Sequence, residues 1–178
     1  GIQLYRRKSG GGCVYSDKGN IMLSFITPST DVASTFERIL EKLAAALRKA
    51  GLNAERSGRN DILVDGRKVS GNAYFLQPKS SIVHGTMLFN TDFEELVRAI
   101  TPSEEKIRSK GVASVRQHVA NVLPYFEKAE CWSRELSDIE AYKNYLIGEF
   151  CTTAEGGIDS VSLTADDVRE IEEIEKGY

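Results

Sequence analysis

Residues 62–75 read ILVDGRKVSGNAYF, in which two β-type runs are separated by Asp65-Gly66. A two-residue Asp-Gly loop between such runs predicts a β-hairpin with a type I′ turn, because this turn requires positive φ at both central residues. Other β-type runs predict strands at residues 21–26 and 81–89, a strand end at 2–5 and a short strand at 13–15. The first half of the chain is therefore predicted to be rich in β-structure.

The clearest helical pattern covers residues 31–50, where apolar side chains recur at steps of three and four residues. Gly51 suits the position that follows the last turn of such a helix. Four later stretches are also predicted to be helical, namely residues 93–100, 119–126, 138–150 and 165–176. Strands followed by helices indicate an α+β fold, in which helices flank a mixed β-sheet.

The composition excludes several classes of protein. With 178 residues, of which 41% are hydrophobic and 28% charged, the chain is typical of one globular domain. No stretch approaches the roughly 20 apolar residues that span a bilayer, so no membrane span is expected. Three scattered cysteines and two histidines argue against a disulfide framework and a zinc or multi-histidine metal site. They favour a reducing compartment, and we expect a cytoplasmic protein.

The two ends of the chain differ in their charge. Residues 1–79 carry 13 Lys and Arg against 7 Asp and Glu, whereas residues 80–178 carry 10 against 19. The basic part suggests an anionic ligand or partner, but its excess is too small to indicate nucleic acid. The chain begins at Gly1 without an initiator Met or an apolar signal core. We therefore expect a domain that is incomplete at its N-terminus.

Residues 6–14, RRKSGGGCV, combine two arginines with three consecutive glycines. The backbone N–H groups of a glycine loop can approach an anion without obstruction, and a guanidinium group suits the geometry of phosphate. No Lys-Ser or Lys-Thr pair follows the glycines, so the segment is not a P-loop. On these residues alone, a surface turn beside solvated charges explains the pattern about equally well.

Three other segments carry candidate functional residues. Asn60 and Asp61 can hold a hydroxyl, a metal or a water, or can simply form a turn. Lys68 has small neighbours that leave room for a ligand, and its charge can neutralise both a carboxylate and a phosphate. Lysine is equally common on exposed edge strands. His84 lies in a predicted strand, where a histidine is more often a hydrogen-bonded packing residue than a ligand or a base.

Taken in order, these segments resemble the motifs of the lipoate–protein ligase A family. The motifs are RRKSGGGCVYSDKGN at residues 6–20, GRND at 58–61, GRKVSGNAY at 66–74, HGTML at 84–88 and SKGVASVR at 109–116. The resemblance extends from residue 6 to about residue 121. Ser16 stands where these ligases commonly carry His.

The resemblance implies a fold and an activity. The fold would be that of the biotin and lipoate ligases, with residues 1–126 as an N-terminally incomplete catalytic core and residues 127–178 as a helical part of the same domain. The activity would be activation of lipoate by ATP and Mg²⁺ to lipoyl-AMP. The lipoyl group would then be transferred to a lysine of the lipoyl domains of 2-oxoacid dehydrogenases or of the glycine-cleavage H protein.

The same resemblance implies roles for individual residues. Lys68 would be the catalytic residue and would contact both the lipoyl carboxylate and the α-phosphate. ATP would be bound by Arg6, Gly11, Gly12, Cys13, Val14 and Lys68. Lipoate would be bound by Lys68 and His84, with Asn60 and Asp61 just behind them. No protein group is expected to act as a metal ligand.

Two other functions stay open at this point. An octanoyltransferase of the same superfamily would use a cysteine nucleophile and no ATP. Residues 57–61, where ligase-like transferases carry that cysteine, contain none. A non-catalytic module that binds lipoate or the acceptor is also compatible with the sequence. The presence of Lys68 and of an intact glycine loop favours the ligase, because simple binding needs no bridge between a carboxylate and a phosphate.

Overall fold

The structure, a computed structural model, describes residues 4–28, 30–58, 60–100, 118–151, 157 and 159–178. Its strands are β1 (Asn20–Thr27), β2 (Ala54–Ser57), β3 (Asp61–Val64), β4 (Arg67–Gln77) and β5 (Ser80–Leu88). Its α-helices are α1 (Val32–Lys49), α2 (Phe93–Ile100), α3 (Leu123–Glu127), α4 (Ile139–Cys151) and α5 (Ala165–Glu175). A 3₁₀ helix covers Trp132–Ser137.

The five strands form one sheet in the order β1-β5-β4-β3-β2, in which every neighbouring pair is antiparallel. An isolated bridge between Lys68 and Val119 adds a short parallel contact to β4. Helices flank this sheet, so the predicted α+β fold with a mixed sheet is confirmed.

The Asp65-Gly66 turn joins β3 to β4 as predicted. Its φ angles are 49° at Asp65 and 74° at Gly66, positive at both positions as a type I′ turn requires. The register changes within this hairpin, because Ile62 is paired with Ser70 whereas Leu63 is paired with Lys68. Val69 is therefore an extra residue on β4, and such a β-bulge changes the direction of the side chains beside it.

Helix α1 packs its predicted apolar stripe into the core. Asp31 caps the start of the helix, since its side chain accepts a hydrogen bond from the amide of Ser34 at 3.2 Å. Gly51 follows the end of the helix with a φ of 85°. The buried stripe comprises Phe36, Ile39, Leu40, Leu43 and Leu47. Burial of each such side chain contributes about 1.5–3 kcal/mol relative to exposure.

One hydrophobic cluster joins this helix to the sheet and to the later helices. The sheet contributes Ile62, Val64, Val69, Val83 and Met87, and the later segments contribute Phe126, Leu136, Tyr142 and Leu146. Side chains from before and after residue 126 thus share one core. We propose on this basis that residues 127–151 belong to the same domain as the residues before them.

Several local predictions were wrong. Residues 13–15 form no strand, and neither do the described residues 4 and 5. The stretch 119–126 becomes helical only at Leu123, because residues 119 and 120 instead bond to Lys68 and because Pro124 favours a helix start. Strand β2 and the 3₁₀ helix were not predicted. The motif at residues 109–116 lies outside the described residues.

No helix among the described residues has the length and the apolar character needed to cross a membrane. Helix α5 begins with a capping box, in which the side chains of Thr164 and Asp167 each bond to the backbone of the other. All residues of this helix are at least partly exposed.

Tyr142 is fully buried between the rings of Phe89 and Phe126, at centroid distances of 5.6 and 5.2 Å. Its hydroxyl has no hydrogen-bond partner among the described residues, and burial raises its pKa. An unpaired buried hydroxyl is unfavourable by about 1–3 kcal/mol. We therefore expect Tyr142→Phe to raise the free energy of unfolding by about 1 kcal/mol, as measured by urea denaturation.

The matched control is Tyr145→Phe. The Tyr145 hydroxyl donates a hydrogen bond to the carbonyl of Ala46 at 2.6 Å, so its removal loses this bond and lowers the free energy of unfolding, although the carbonyl still accepts from the amide of Ala50. A Tyr142→Phe chain that is less stable than the unmodified protein would contradict the expectation.

Candidate functional site

A cavity of about 330 Å³ lies where the glycine loop meets the sheet. Met22 of β1, Ala73 of β4 and His84 of β5 line it from one face of the sheet. The neighbouring residue on β4, Tyr74, points to the opposite face and packs against Phe36 of α1 at a centroid distance of 5.5 Å. The cavity is thus on the side of the sheet away from α1, and its volume suits a small-molecule site.

The cavity brings together all of the predicted site residues except Arg6 and Asp61. Those that line it are Gly11, Gly12, Cys13, Val14, Asn60, Lys68 and His84. They come from the glycine loop, from residues 60–68 and from β5. The pairing of β4 with β5 brings the last two of these parts together.

Arg7 lines the cavity, whereas the predicted Arg6 does not. Arg6 is exposed, and its amide donates a hydrogen bond to the carbonyl of Tyr178 at 3.4 Å. The Arg7 guanidinium donates to the carbonyls of Gly10 at 3.1 Å and Gly12 at 2.5 Å. Residues 6 and 7 lie in an irregular stretch of backbone, so the sequence pair alone does not reveal which arginine faces the site.

The glycine loop is shaped around this guanidinium. Gly11 has a φ of 101°, and a Cβ there would lie 2.7 Å from Nη2 of Arg7. A Cβ on Gly12 would meet no atom within 4 Å. The loop therefore combines a required glycine at position 11 with open space at position 12, where an anion can approach the backbone.

Lys68 carries the positive charge on the sheet side of the cavity. Its Nζ lies 2.8 Å from Oδ1 of Asp61, which does not itself line the cavity. The carbonyl of Lys68 accepts a hydrogen bond from the amide of Ala120 at 2.9 Å. The backbone of Lys68 is thereby held between β3 on one side and residues 119 and 120 on the other.

His84 presents a neutral imidazole to the cavity. Its Nε2 is buried and has no hydrogen-bond partner among the described residues. Burial, and then the positive charge of Arg7, lower the pKa of His84. At neutral pH this side chain can accept or donate a hydrogen bond to a ligand without placing a charge in the cavity.

The lowered pKa predicts a dependence of stability on pH. The stabilising effect of neutral His84 is complete above the unfolded pKa of about 6.5 and is lost as the pH falls through the lower folded pKa. We expect His84→Gln to reduce the loss of unfolding free energy between pH 7 and pH 5, as measured by urea denaturation. His118→Gln is the control, because it removes the other histidine of the sequence. Equal losses in the two variants would contradict the expectation.

Hydrogen bonds of Asn60 attach the turn that precedes β3 to the neighbouring strand β4. Its side-chain Nδ2 donates to the carbonyl of Asn72, and Nδ2 of Asn72 donates to the carbonyl of Asn60, both at 3.0 Å. Gly85 packs against this pair, since a Cβ there would lie 2.0 Å from Oδ1 of Asn72. Asn60 therefore lies in a turn and Asp61 begins β3, and the side-chain amides of Asn60 and Asn72 donate to the backbone within this structure.

Sequence reasoning missed Asn20, which lines the cavity at the end of the first motif. Its Nδ2 donates to the carbonyl of Tyr15 at 3.2 Å, while its Oδ1 is buried without a hydrogen-bond partner in the described part of the chain. The preceding Asp17 accepts from the amides of Gly19 and Asp92, both at 2.9 Å. The motif itself contained the signal for Asn20, because its last residue enters β1.

Within the described residues, no group of three or more His, Cys, Asp or Glu side chains could hold a metal ion. The cavity therefore offers few protein ligands for a metal ion, and one of them is the side-chain oxygen of Asn20, which has no hydrogen-bond partner among the described residues. It fits a Mg²⁺ ion that keeps most of its ligands on phosphates and water, as this ion commonly does in nucleotide sites.

Comparison with known sequences gives a consistent result. Residues 1–151 match the family model described as the lipoyl protein ligase A/B catalytic domain. The chain is 38% identical over 178 residues to lipoate-protein ligase LplJ of Bacillus subtilis, covering 99% of this chain and 52% of that protein. It is 36% identical over 174 residues to lipoate–protein ligase 1 of Staphylococcus aureus, with coverages of 97% and 50%. The chain spans about half the length of these relatives.

Two solved structures are also similar. One is a bi-partite lipoate protein ligase from Thermoplasma acidophilum, described with its E2 lipoyl domain, with a TM-score of 0.78 and 27% identity over 96% of this chain and 65% of that one. The other is a lipoate-protein ligase A bound with ATP, with a TM-score of 0.71 and 25% identity over 96% and 66%.

Proposed function

The chain belongs to the lipoyl protein ligase A/B catalytic domain family, and from that premise we propose that it carries the site of a lipoate–protein ligase. The proposed reaction activates lipoate with ATP to lipoyl-AMP and then transfers the lipoyl group to a lysine of an acceptor domain. One observation carries the proposal. A single cavity contains an anion-accessible glycine loop, the guanidinium of Arg7, the ammonium of Lys68 and a neutral His84.

The glycine loop is the proposed binding site for the triphosphate of ATP. Arg7 shapes the loop by its bonds to the carbonyls of Gly10 and Gly12, so its charge lies at the loop. Backbone N–H groups and a guanidinium are both suited to phosphate oxygens. One relative of known structure is bound with ATP, which supports this assignment.

Lys68 is the proposed catalytic residue. In the activation step a carboxylate oxygen of lipoate attacks the α-phosphorus, and the bond to the bridging oxygen of pyrophosphate breaks. The attack brings two anions together, and negative charge grows on the phosphoryl oxygens. A fixed ammonium that contacts both reactants offsets this repulsion and aligns them. When bound with ATP, Mg²⁺ would neutralise the departing pyrophosphate.

The apolar part of the cavity is the proposed site of the lipoyl tail. Its apolar lining comprises Met22, Ala73, Leu88, Leu96, Ile100 and Val119. A neutral His84 avoids the unfavourable burial of a charge beside a dithiolane ring. The cavity can thus hold a chain whose anionic end is at Lys68 and whose apolar end is farther along the sheet.

The proposed acceptors are the lipoyl domains of 2-oxoacid dehydrogenases and the glycine-cleavage H protein. A relative described together with its E2 lipoyl domain supports the first of these. The proposed location is the cytoplasm, which agrees with three cysteines that are exposed and unpaired.

The test is lipoate-dependent exchange of labelled pyrophosphate into ATP, with Mg²⁺ present. A ligase catalyses this exchange without any acceptor, whereas a transferase that uses no ATP and a module that only binds lipoate do not. Exchange that requires lipoate supports the proposal. Transfer of octanoyl groups without ATP, or binding of lipoate without exchange, would refute it and favour the corresponding alternative.

Cys13 gives a second prediction, because it is an exposed thiol on the cavity lining. We expect N-ethylmaleimide to lower the exchange rate at least tenfold, since its adduct on Cys13 occupies space proposed for the nucleotide. Cys13→Ser should retain exchange in the presence of the reagent, although Cys131 and Cys151 are also exposed. Equal inactivation of Cys13→Ser would show that the reagent acts elsewhere. Loss of activity in Cys13→Ser without reagent would instead favour a cysteine nucleophile.

A further inference from the structure

We propose that Asp61 is a positioning residue, which holds the ammonium of Lys68 over Gly71 at the wall of the cavity. The inference rests on the proposed function, because it assigns a role to a residue that does not line the cavity itself. It deepens that function by explaining how a long lysine side chain is ordered before the substrates bind.

The direct contact is an ion pair. Nζ of Lys68 lies 2.8 Å from Oδ1 of Asp61, and the two side chains are 38% and 29% exposed. Oδ1 of Asp61 is buried, and the contact lacks the alignment of a hydrogen bond. The pair is thus held by charge and proximity, and because an ammonium has three N–H groups, a single contact with Asp61 leaves others available for a ligand.

The β-bulge brings the three residues to one face of the hairpin. Asp61 is paired with Gly71, and Leu63 is paired with Lys68. Asp61 and Leu63 are two residues apart on β3 and therefore point to the same face. Lys68 and Gly71 are three positions apart in the sequence, so on a regular strand they would face opposite sides of the sheet, and the bulge at Val69 brings them to the same side.

Gly71 provides the space under the lysine. A Cβ on Gly71 would lie 2.9 Å from both Cε and Nζ of Lys68, and 3.8 Å from Oδ1 of Asp61. The φ of Gly71 is outside the left-handed region, so its backbone conformation would accept an ordinary residue. The requirement for glycine therefore comes from the position of the Lys68 side chain.

Asp61 is itself fixed by its neighbours. The preceding Asn60 is bonded to Asn72 through both side chains, and the Asn60 carbonyl also accepts a hydrogen bond from the Asn72 amide at 2.9 Å. A carboxylate fixed in this way at the start of β3 restricts the rotamers of Lys68, so substrate binding has to order fewer bonds of that side chain.

The experiment uses a double-mutant cycle with a non-hydrolysable lipoyl-adenylate mimic, measured by calorimetry. We expect Asp61→Asn to weaken binding about tenfold in the presence of Lys68 and less than twofold in a Lys68→Ala background. Gly71→Ala should behave in the same way, since it displaces the lysine and leaves both charges in place. Equal factors in the two backgrounds would show that Asp61 acts independently of Lys68 and would overturn the inference.

Asp65→Asn is the matched control on the same hairpin. It removes the same charge four residues away, where Asp65 accepts a hydrogen bond from Asn53 at 3.2 Å, and asparagine tolerates the positive φ of that position. Binding of the mimic should be unchanged in this variant. A loss equal to that of Asp61→Asn would assign the effect to net charge and would overturn the positioning role.

A measurement without ligand separates this inference from the proposed function. The four chains of the Asp61 and Lys68 cycle are unfolded in urea, and the coupling between the two residues is taken from their free energies of unfolding. A coupling of zero would overturn the inference even if the mimic binds. A favourable coupling in a chain that does not bind the mimic would support the pair and refute the proposed ligase site.

Discussion

Lys68→Ala is expected to lower the rate of lipoate-dependent ATP–pyrophosphate exchange by about a hundredfold. Loss of one preorganised charge-stabilising group commonly raises an activation barrier by about 3 kcal/mol, which corresponds to that factor. The effect is large because the proposed position of Lys68 is between two reacting anions. Lys68→Arg should not restore the rate, since the larger planar guanidinium does not fit the space over Gly71.

Lys79→Ala is the control for this loss. Lys79 is exposed in the turn that joins β4 to β5, at the other end of the same strand. Its removal changes the net charge equally and should leave the exchange rate within twofold. Lys68→Ala should also unfold at a urea concentration close to that of the unmodified chain, because a partly exposed ion pair contributes only about 0.2–1 kcal/mol to stability. An exchange rate within threefold of normal in Lys68→Ala would remove Lys68 from the mechanism.

Gly19→Ala is expected to lower the free energy of unfolding by about 3 kcal/mol, as measured by urea denaturation. A Cβ on Gly19 would lie 2.1 Å from the carbonyl oxygen of Asn90 and 2.3 Å from its carbonyl carbon. These are backbone atoms, so the contact cannot be relieved by a change of rotamer. The carbonyl of Gly19 also accepts hydrogen bonds from the amides of Phe89 and Asn90, and displacement of the turn weakens both.

Gly148→Ala is the control of opposite sign. Gly148 lies in α4, and a Cβ there would meet no atom within 4 Å. Alanine is favoured over glycine inside a helix, so this variant should gain about 0.5–1 kcal/mol. A loss below 1 kcal/mol for Gly19→Ala would mean that the turn moves away from Asn90 at little energetic expense.

The parts of the fold that depend on local signals were predictable. The Asp65-Gly66 turn and α1 have such signals in turn chemistry and in a period of 3.6 residues. Strand β2 was missed because its sequence, AERS, is short and mostly polar and because, among the described residues, it pairs with β3 alone. The late start of α3 was missed because an apolar run does not reveal that Val119 pairs with Lys68.

The residues of the candidate site were named from the sequence, but their geometry was not. The motifs pointed to the glycine loop, Lys68 and His84, and the structure places all three at one cavity. The choice between Arg6 and Arg7 depends on the direction of an irregular backbone, for which the sequence has no periodic signal. The contact between Asp61 and Lys68 depends on a bulge, and a register shift of this kind is a property of two strands together.

The hydrogen bond from the Ala120 amide to the Lys68 carbonyl allows the site to be monitored by hydrogen exchange at a residue outside the cavity. Ala120 is buried and does not line the cavity, so a ligand has no direct contact with its N–H group. Hydrogen exchange at this amide requires residues 119 and 120 to separate from β4. Its protection factor therefore measures how firmly the backbone of Lys68 is held, and a ligand that binds only while this hydrogen bond is formed slows exchange at the Ala120 amide.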